Sequence, residues 1–124
     1  SRYAGYAVPY GTGRPHVTAV IWTDETRHDN ILEDARAAGL DTDDPAAVQR
    51  TPQFRDLLEK DLRRVLEAGD FTSHERPHAF LYLLNPGEQE VTSTLKARKK
   101  NVRRKYAPQL DALYKSGAFL EFVE

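Results

Sequence analysis

Cysteine is absent from this sequence, which excludes disulfide bridges, thiolate-held zinc and cysteine nucleophiles together. That absence suits a reducing compartment, and the expected location is cytoplasmic. Long apolar runs are missing too. The longest, such as Ala79 to Leu84 (AFLYLL), fall far short of the roughly 20 residues that cross a bilayer, and the first residues carry no charged-then-apolar targeting pattern. No transmembrane segment is expected. Net charge is nearly absent as well: 18 Lys and Arg against 19 Asp and Glu leave −1, so no global field argues for nucleic acid or an anionic membrane.

What remains has the balance of an ordinary folded domain. With 124 residues, 40% hydrophobic and 30% charged, the chain has room for a single domain over residues 1–124 with one layered core. The charge is unevenly placed even though it nearly cancels. From Asp24 to Asp44, eight acids face only Arg27 and Arg36. From Lys96 to Lys105 there is no acid at all, against Lys96, Arg98, Lys99, Lys100, Arg103, Arg104 and Lys105. The two segments either neutralise one another or leave one of them for a charged ligand.

YAGYAVPY, then GTGRP, then HVTAVIW reads as two strands joined by a glycine-containing turn. Both faces of the second strand are apolar, which predicts a central position in the sheet. GTG is a turn rather than a phosphate loop, because no helix follows and the full glycine spacing is missing. A helix is predicted from about Asp24 to Ala38, with Asp24 as N-cap, a stripe of Ile31, Leu32, Ala35 and Ala38, and Gly39 as C-cap. Asp44-Pro45 starts a short helical turn. Thr51-Pro52 starts a stronger helix, with Phe54, Leu57, Leu58, Leu62, Val65 and Leu66 on one face. AFLYLL reads as a buried strand bounded by Asn85-Pro86-Gly87. A last helix begins near Ala97 and carries Val102, Tyr106, Leu110, Leu113 and Tyr114 as its apolar stripe, with Pro108 set to kink or restart it. The expected fold class is α+β: a small sheet of about three strands, the hairpin plus a later strand, packed with about three helices.

The stretch His74 to His78 (HERPH) fits H-E-x-x-H literally, the pattern that places two zinc ligands and a general base on one helix. Pro77 opposes the helix that this chemistry needs, and the stretch leads directly into AFLYLL. It is read as the approach to a strand, and no metal site is expected.

VTSTLKARKKNVRRKYAPQLDALY sets Lys96 after a turn-like Thr-Ser-Thr and before a basic helix. Small hydroxyl residues allow a tight turn and can cap the helix, leaving Lys96 near the end of a loop as a mobile cation for a carboxylate or phosphate. This segment resembles the end of the C-terminal domain of long-chain acyl-CoA synthetases, in the adenylate-forming (AMP-binding) superfamily, where L-T-P-T-L-K precedes basic residues and a K-Y…I…L-Y helix. Here the matching residues are Val91, Thr92, Ser93, Thr94, Leu95 and Lys96, then Lys105-Tyr106 and Leu113-Tyr114. The family's GDGRPYLVALI-like hairpin is similar to Gly11 to Ile21, and its E-R-I-x-x-F-x-L-L to Glu75 to Leu84, with Phe80 aligned. The resemblance runs from about Ala4 to Tyr114. Ser93 stands where the family has Pro, Val91 where it has Leu, and the loop Asn85 to Glu90 is shorter. The family's ATP-binding large domain, its phosphate loop, the hinge and the glycine-rich loop beyond it are not in this sequence.

The resemblance implies the mobile lid of an ATP-dependent fatty acyl-CoA synthetase, inactive by itself. Such enzymes join a carboxylate to AMP with release of pyrophosphate and then transfer the acyl group to coenzyme A. It implies Lys96 as the catalytic residue, and Arg98, Lys99 and Lys100 as contacts to coenzyme A or nucleotide phosphates. ATP and coenzyme A would be substrates of the whole enzyme, with magnesium held by the large domain and no cofactor held by this one alone. The implied partners are the large N-terminal adenylation domain and a fatty acid. Two further readings stand beside it: a free-standing interaction module of the same fold, and a nucleic-acid-binding domain using the basic helix. Against the latter, Val102 and Tyr106 interrupt the cations with core-facing residues and no base-reading motif is present, so no nucleic-acid partner is expected.

Overall fold

The structure, a computed structural model, describes residues 1–11, 13–14, 16–69, 76–87, 90 and 94–124. The chain is α+β and divides into two compact units, Ser1–Tyr6 with Trp22–Asp70, and Ala7–Ile21 with Phe71–Glu124.

The first unit is helical. A 3-10 turn, Glu25–Arg27, leads into α1 (His28–Ala37), followed by α2 (Pro45–Gln49) and α3 (Pro52–Ala68). Each start is written locally. Asp24, Asp44 and Thr51 accept hydrogen bonds from the amides of Thr26, Ala46 and Phe54, so donors that a helix start leaves open are satisfied by short side chains. The predicted helix from Asp24 thus opens as a 3-10 turn and becomes α-helical at His28. The end of α1 is a Schellman turn: Leu40 N donates to the Ala35 carbonyl at 2.9 Å and Gly39 N to the Arg36 carbonyl at 3.0 Å, with Gly39 at φ 90°. Ile31, Ala35, Val48, Phe54 and Leu58 are fully buried, Tyr3 meets Phe54 edge to face at 5.4 Å, and Trp22 stacks on Tyr6 at 5.2 Å. Asp61 occupies a core-facing position of α3 that the apolar pattern does not foresee. Its buried carboxylate accepts from Ser1 Oγ at 2.6 Å, from the Arg2 amide at 3.2 Å and from Arg64 at 2.5 Å, which offsets its desolvation.

The second unit holds a mixed sheet, ordered β1 (Tyr6–Tyr10), β2 (Val17–Trp22), β3 (Pro77–Leu83), β4 (Leu120–Val123). β2 lies between β1 and β3, as its two apolar faces predict. Pro9, which has no amide hydrogen to donate, sits on the edge strand β1. β3 runs parallel to both neighbours, pairing Ala19 with Phe80 on one side and Tyr82 with Phe122 on the other. Parallel neighbours need a crossover of a dozen or more residues. Between β3 and β4 that crossover contains α4 (Leu95–Ser116), which packs on β3 through buried Val102, Tyr106, Leu110 and Leu113.

Three details correct the sequence-based expectations. The described residues hold four strands and four α-helices, where about three of each are expected. β4 escapes notice because only Leu120 of its four residues is buried; pairing with β3, rather than alternation of its own, makes it a strand. α4 begins at Leu95 rather than near Ala97, so Lys96 is helical and not in a loop. Finally, α4 passes through Pro108 without interruption. Both Pro108 and Arg104 are exposed, so water can satisfy the carbonyl that Pro108 leaves without its amide partner.

Phe54→Ala empties a site that is fully buried and is expected to cost about 3–5 kcal/mol. Urea titration followed by the fluorescence of Trp22, the single tryptophan, measures it.

Candidate functional site

The sequence directs attention to the start of α4. Thr94 Oγ1 accepts from the Ala97 amide at 3.3 Å, and the Thr94 carbonyl accepts from the Arg98 amide at 2.8 Å. Thr94 is therefore the hydroxyl that caps the basic helix; Thr92 and Ser93, together with Val91, lie outside the described residues. Lys96 follows in the first turn and is exposed. No acidic residue accompanies it in that turn, although a helix start favours anions and repels cations. A cluster of cations at the positive end of a helix is unfavourable locally, and such conflicts concentrate where a site is built to meet a ligand.

Helical periodicity separates the four candidate residues. At 100° per residue, Lys96 and Lys100 share one face with Arg103, and both lysines are exposed. Lys99 turns toward the stripe of Val102 and Tyr106 and is half-buried, while Arg98 falls on the opposite flank and is also half-buried. The structure thus brings Lys96 together with Lys100 and Arg103, but not with Arg98. Lys96, Lys99 and Lys100 make no ion pair among the described residues.

Lys105 has a different fate. Its Nζ donates to Glu90 Oε1 at 2.8 Å, and the Tyr106 hydroxyl reaches the same oxygen at 3.3 Å. Glu90 is buried, its Oε2 makes no hydrogen bond among the described residues, and a Cβ at Gly87 would stand 2.6 Å from that oxygen and push the carboxylate aside. Burial pushes the Glu90 carboxyl up, but the hydrogen bond and charge of Lys105, a backbone amide and the Tyr106 hydroxyl together outweigh it and hold the group below the usual carboxylate range. The hydrogen bond to Glu90 raises Lys105 in turn, and burial raises the Tyr106 phenol. No sequence signal distinguishes Glu90 from Glu88, the other acid of its loop; only the approach of α4 selects it.

In the first unit the acidic run is met by nearby cations: Arg27 reaches Asp24 at 3.1 Å, Arg2 reaches Asp34 at 2.9 Å and Arg36 reaches Asp43 at 3.1 Å. Tyr3 also donates to Asp34. Burial raises the Asp34 carboxyl, yet the bonds from Arg2 and Tyr3 leave it lowered overall, and the Tyr3 phenol is raised by burial and by Asp34.

Of HERPH, His74 and Glu75 lie outside the described residues. Pro77 opens β3, so the segment enters an extended strand and not a helix. His78 has no partner in the β2 register, and its ring stacks on His16 at 4.8 Å. Among the described residues no group of three His, Asp or Glu is placed to hold a metal ion, and no helix is long and apolar enough to cross a membrane.

Glu90 binds its proton less tightly in the folded chain than in the unfolded one. Its contribution to stability is therefore present above the unfolded pKa of 4.5 and is lost as pH falls through the lower folded value. Glu90→Gln is expected to lower stability by about 1–2 kcal/mol at pH 7. The gap to the wild type should close as pH falls from about 5 toward 3, measured as urea midpoints by circular dichroism.

No known protein family, curated protein or solved structure matches this chain.

Proposed function

We propose that this chain is the C-terminal lid domain of an ATP-dependent fatty acyl-CoA synthetase, working in the cytoplasm with a large ATP-binding domain in cis or in trans. In the first half-reaction a carboxylate oxygen attacks the α-phosphorus of ATP, the bond to the β-phosphate breaks, and pyrophosphate leaves. In the second, the thiol of coenzyme A attacks the acyl carbonyl, loses its proton and displaces AMP. Lys96 serves the first step. Two anions must approach one another, and an ammonium on a long, flexible stem bridges the carboxylate and nucleotide oxygens while charge shifts between them.

The observation that carries this reading is the placement of Lys96: exposed, in the first turn of a Thr94-capped helix, with no ion-pair partner among the described residues. The order of elements supports it, since the hairpin, the strand carrying Phe80 and the basic helix follow one another as the resemblance requires. Lys100 shares the Lys96 face and is the better placed of the proposed phosphate contacts; Arg98, on the other flank, is the least well placed. The reaction requires magnesium, which the resemblance assigns to the large domain. The swing of the lid is a gating step.

ATP–pyrophosphate exchange with a fatty acid tests this, using the chain alone, then mixed with a large domain lacking its lid, with Lys96→Ala alongside. The chain alone should be inactive and the mixture active. Lys96→Ala should cost roughly two or more powers of ten. If both chains bind the large domain and neither restores exchange, the lid assignment fails and a non-catalytic interaction module replaces it.

A further inference from the structure

A cleft of about 280 Å³ opens in the second unit, lined by Tyr10, Gly11, Arg14 and Arg103. We propose that it is a binding site for a soluble phosphate ester or diphosphate, gripped by the guanidinium groups of Arg14 and Arg103. It goes beyond the lid assignment, because it holds whether or not Lys96 takes part in adenylation.

Arg103 is held at the cleft from behind. Its Nε donates to the Pro9 carbonyl at 2.8 Å, and its two terminal nitrogens make no hydrogen bond among the described residues. No carboxylate among the described residues pairs with it. Arg14 lies over two neighbouring rings, with Cζ 4.7 Å from the Tyr114 centroid and 5.8 Å from that of Tyr10. One of its terminal nitrogens meets Asp111 Oδ1 at 2.5 Å, an oxygen that also accepts from the Tyr10 hydroxyl at 3.1 Å. That pair is half-exposed, with 39% of the Arg14 side chain and 43% of Asp111 accessible, so it is weak and leaves Arg14 available to a stronger anion. Two guanidinium groups against one carboxylate leave a net charge of +1 at the cleft.

Chemistry selects the ligand. Guanidinium forks match the paired oxygens of phosphate better than a point ammonium does, and two forks facing one cavity suit a tetrahedral anion. The volume, about 280 Å³, is close to the lower end of ligand-pocket sizes, about 300 Å³, which leaves room for a small group esterified to the phosphate. Gly11 lets the backbone close in at the edge of the cleft: φ there is 126°, and a Cβ would collide with the Tyr114 hydroxyl and stand 2.9 Å from the His16 carbonyl. The cations also continue along α4. Arg103 lies seven residues beyond Lys96 on the face shared with Lys100, roughly 10 Å along the helix axis, so an elongated polyanion would meet all three in turn.

Calorimetric titration of the chain with sodium pyrophosphate and with ADP, at low salt, tests the site. Saturable binding of one ligand per chain is expected. Arg103→Gln and Arg14→Gln should each weaken it about tenfold or more, as for loss of a charge-assisted hydrogen bond, and Asp111→Asn should tighten it. Arg103→Lys, which keeps the charge and loses the fork, should fall between, and serves alone if Arg103→Gln does not fold. The site is refuted if the wild type does not bind either ligand, or if binding survives the arginine substitutions and disappears in Lys96→Ala. Phosphatidate vesicles provide the second arm: arginine-dependent binding to them without binding to ADP would overturn the soluble ligand.

Discussion

Parallel pairing of β3 with both of its neighbours is the constraint on which the rest of this fold depends. A strand that runs parallel to both neighbours cannot be joined to either of them by a tight turn. The chain must leave the sheet and return, and both excursions are helical. The first, between β2 and β3, carries α1 to α3 in a unit with its own core around Phe54 and Ile31. The second carries α4, whose stripe of Val102, Tyr106, Leu110 and Leu113 lies against β3 and fixes the helix about its own axis. Once that stripe is buried, the direction of every cation on α4 follows from 100° per residue.

That rotation sorts the basic run into roles that charge alone does not assign. Lys105 pairs with the buried Glu90. Arg103 lies along the flank and is tied to the Pro9 carbonyl of the edge strand. Lys96 and Lys100 project from the exposed face without carboxylate partners among the described residues. A chain with a net charge of −1 thereby gathers a local excess of positive charge along one side of one helix. Clustering of this kind, and not total charge, is what a small anionic ligand meets within a Debye length of about 10 Å.

The phosphate-binding cleft and the lysine at the helix start differ in construction. Lys96 is a single mobile cation at the end of a helix, suited to entering a site formed elsewhere. The cleft is assembled from a strand end, a turn and the middle of α4, with its arginines held by the Pro9 carbonyl, Asp111 and two tyrosine rings. Its phosphate chemistry comes from side chains. Gly11 contributes close backbone approach at its edge.

Features set by neighbours in the chain were legible in the sequence: the caps at Asp24, Asp44 and Thr51, the glycine end of α1, the central place of β2, and Pro77 as a strand entry. Each depends on contacts within about four residues or on a repeat of 2 or 3.6, and both are properties of the written order. The exposed lysine after a hydroxyl cap was legible for the same reason. What joins distant segments was not. β4 is a strand because β3 lies beside it; Asp61 and Glu90 are buried because Ser1, Arg2 and Lys105 arrive to satisfy them. Arg14 and Arg103 face one cleft although they lie 89 positions apart in the sequence. Tertiary packing alone decides which charges meet and which remain open to a ligand, because side-chain partners separated along the chain leave no periodic trace in it.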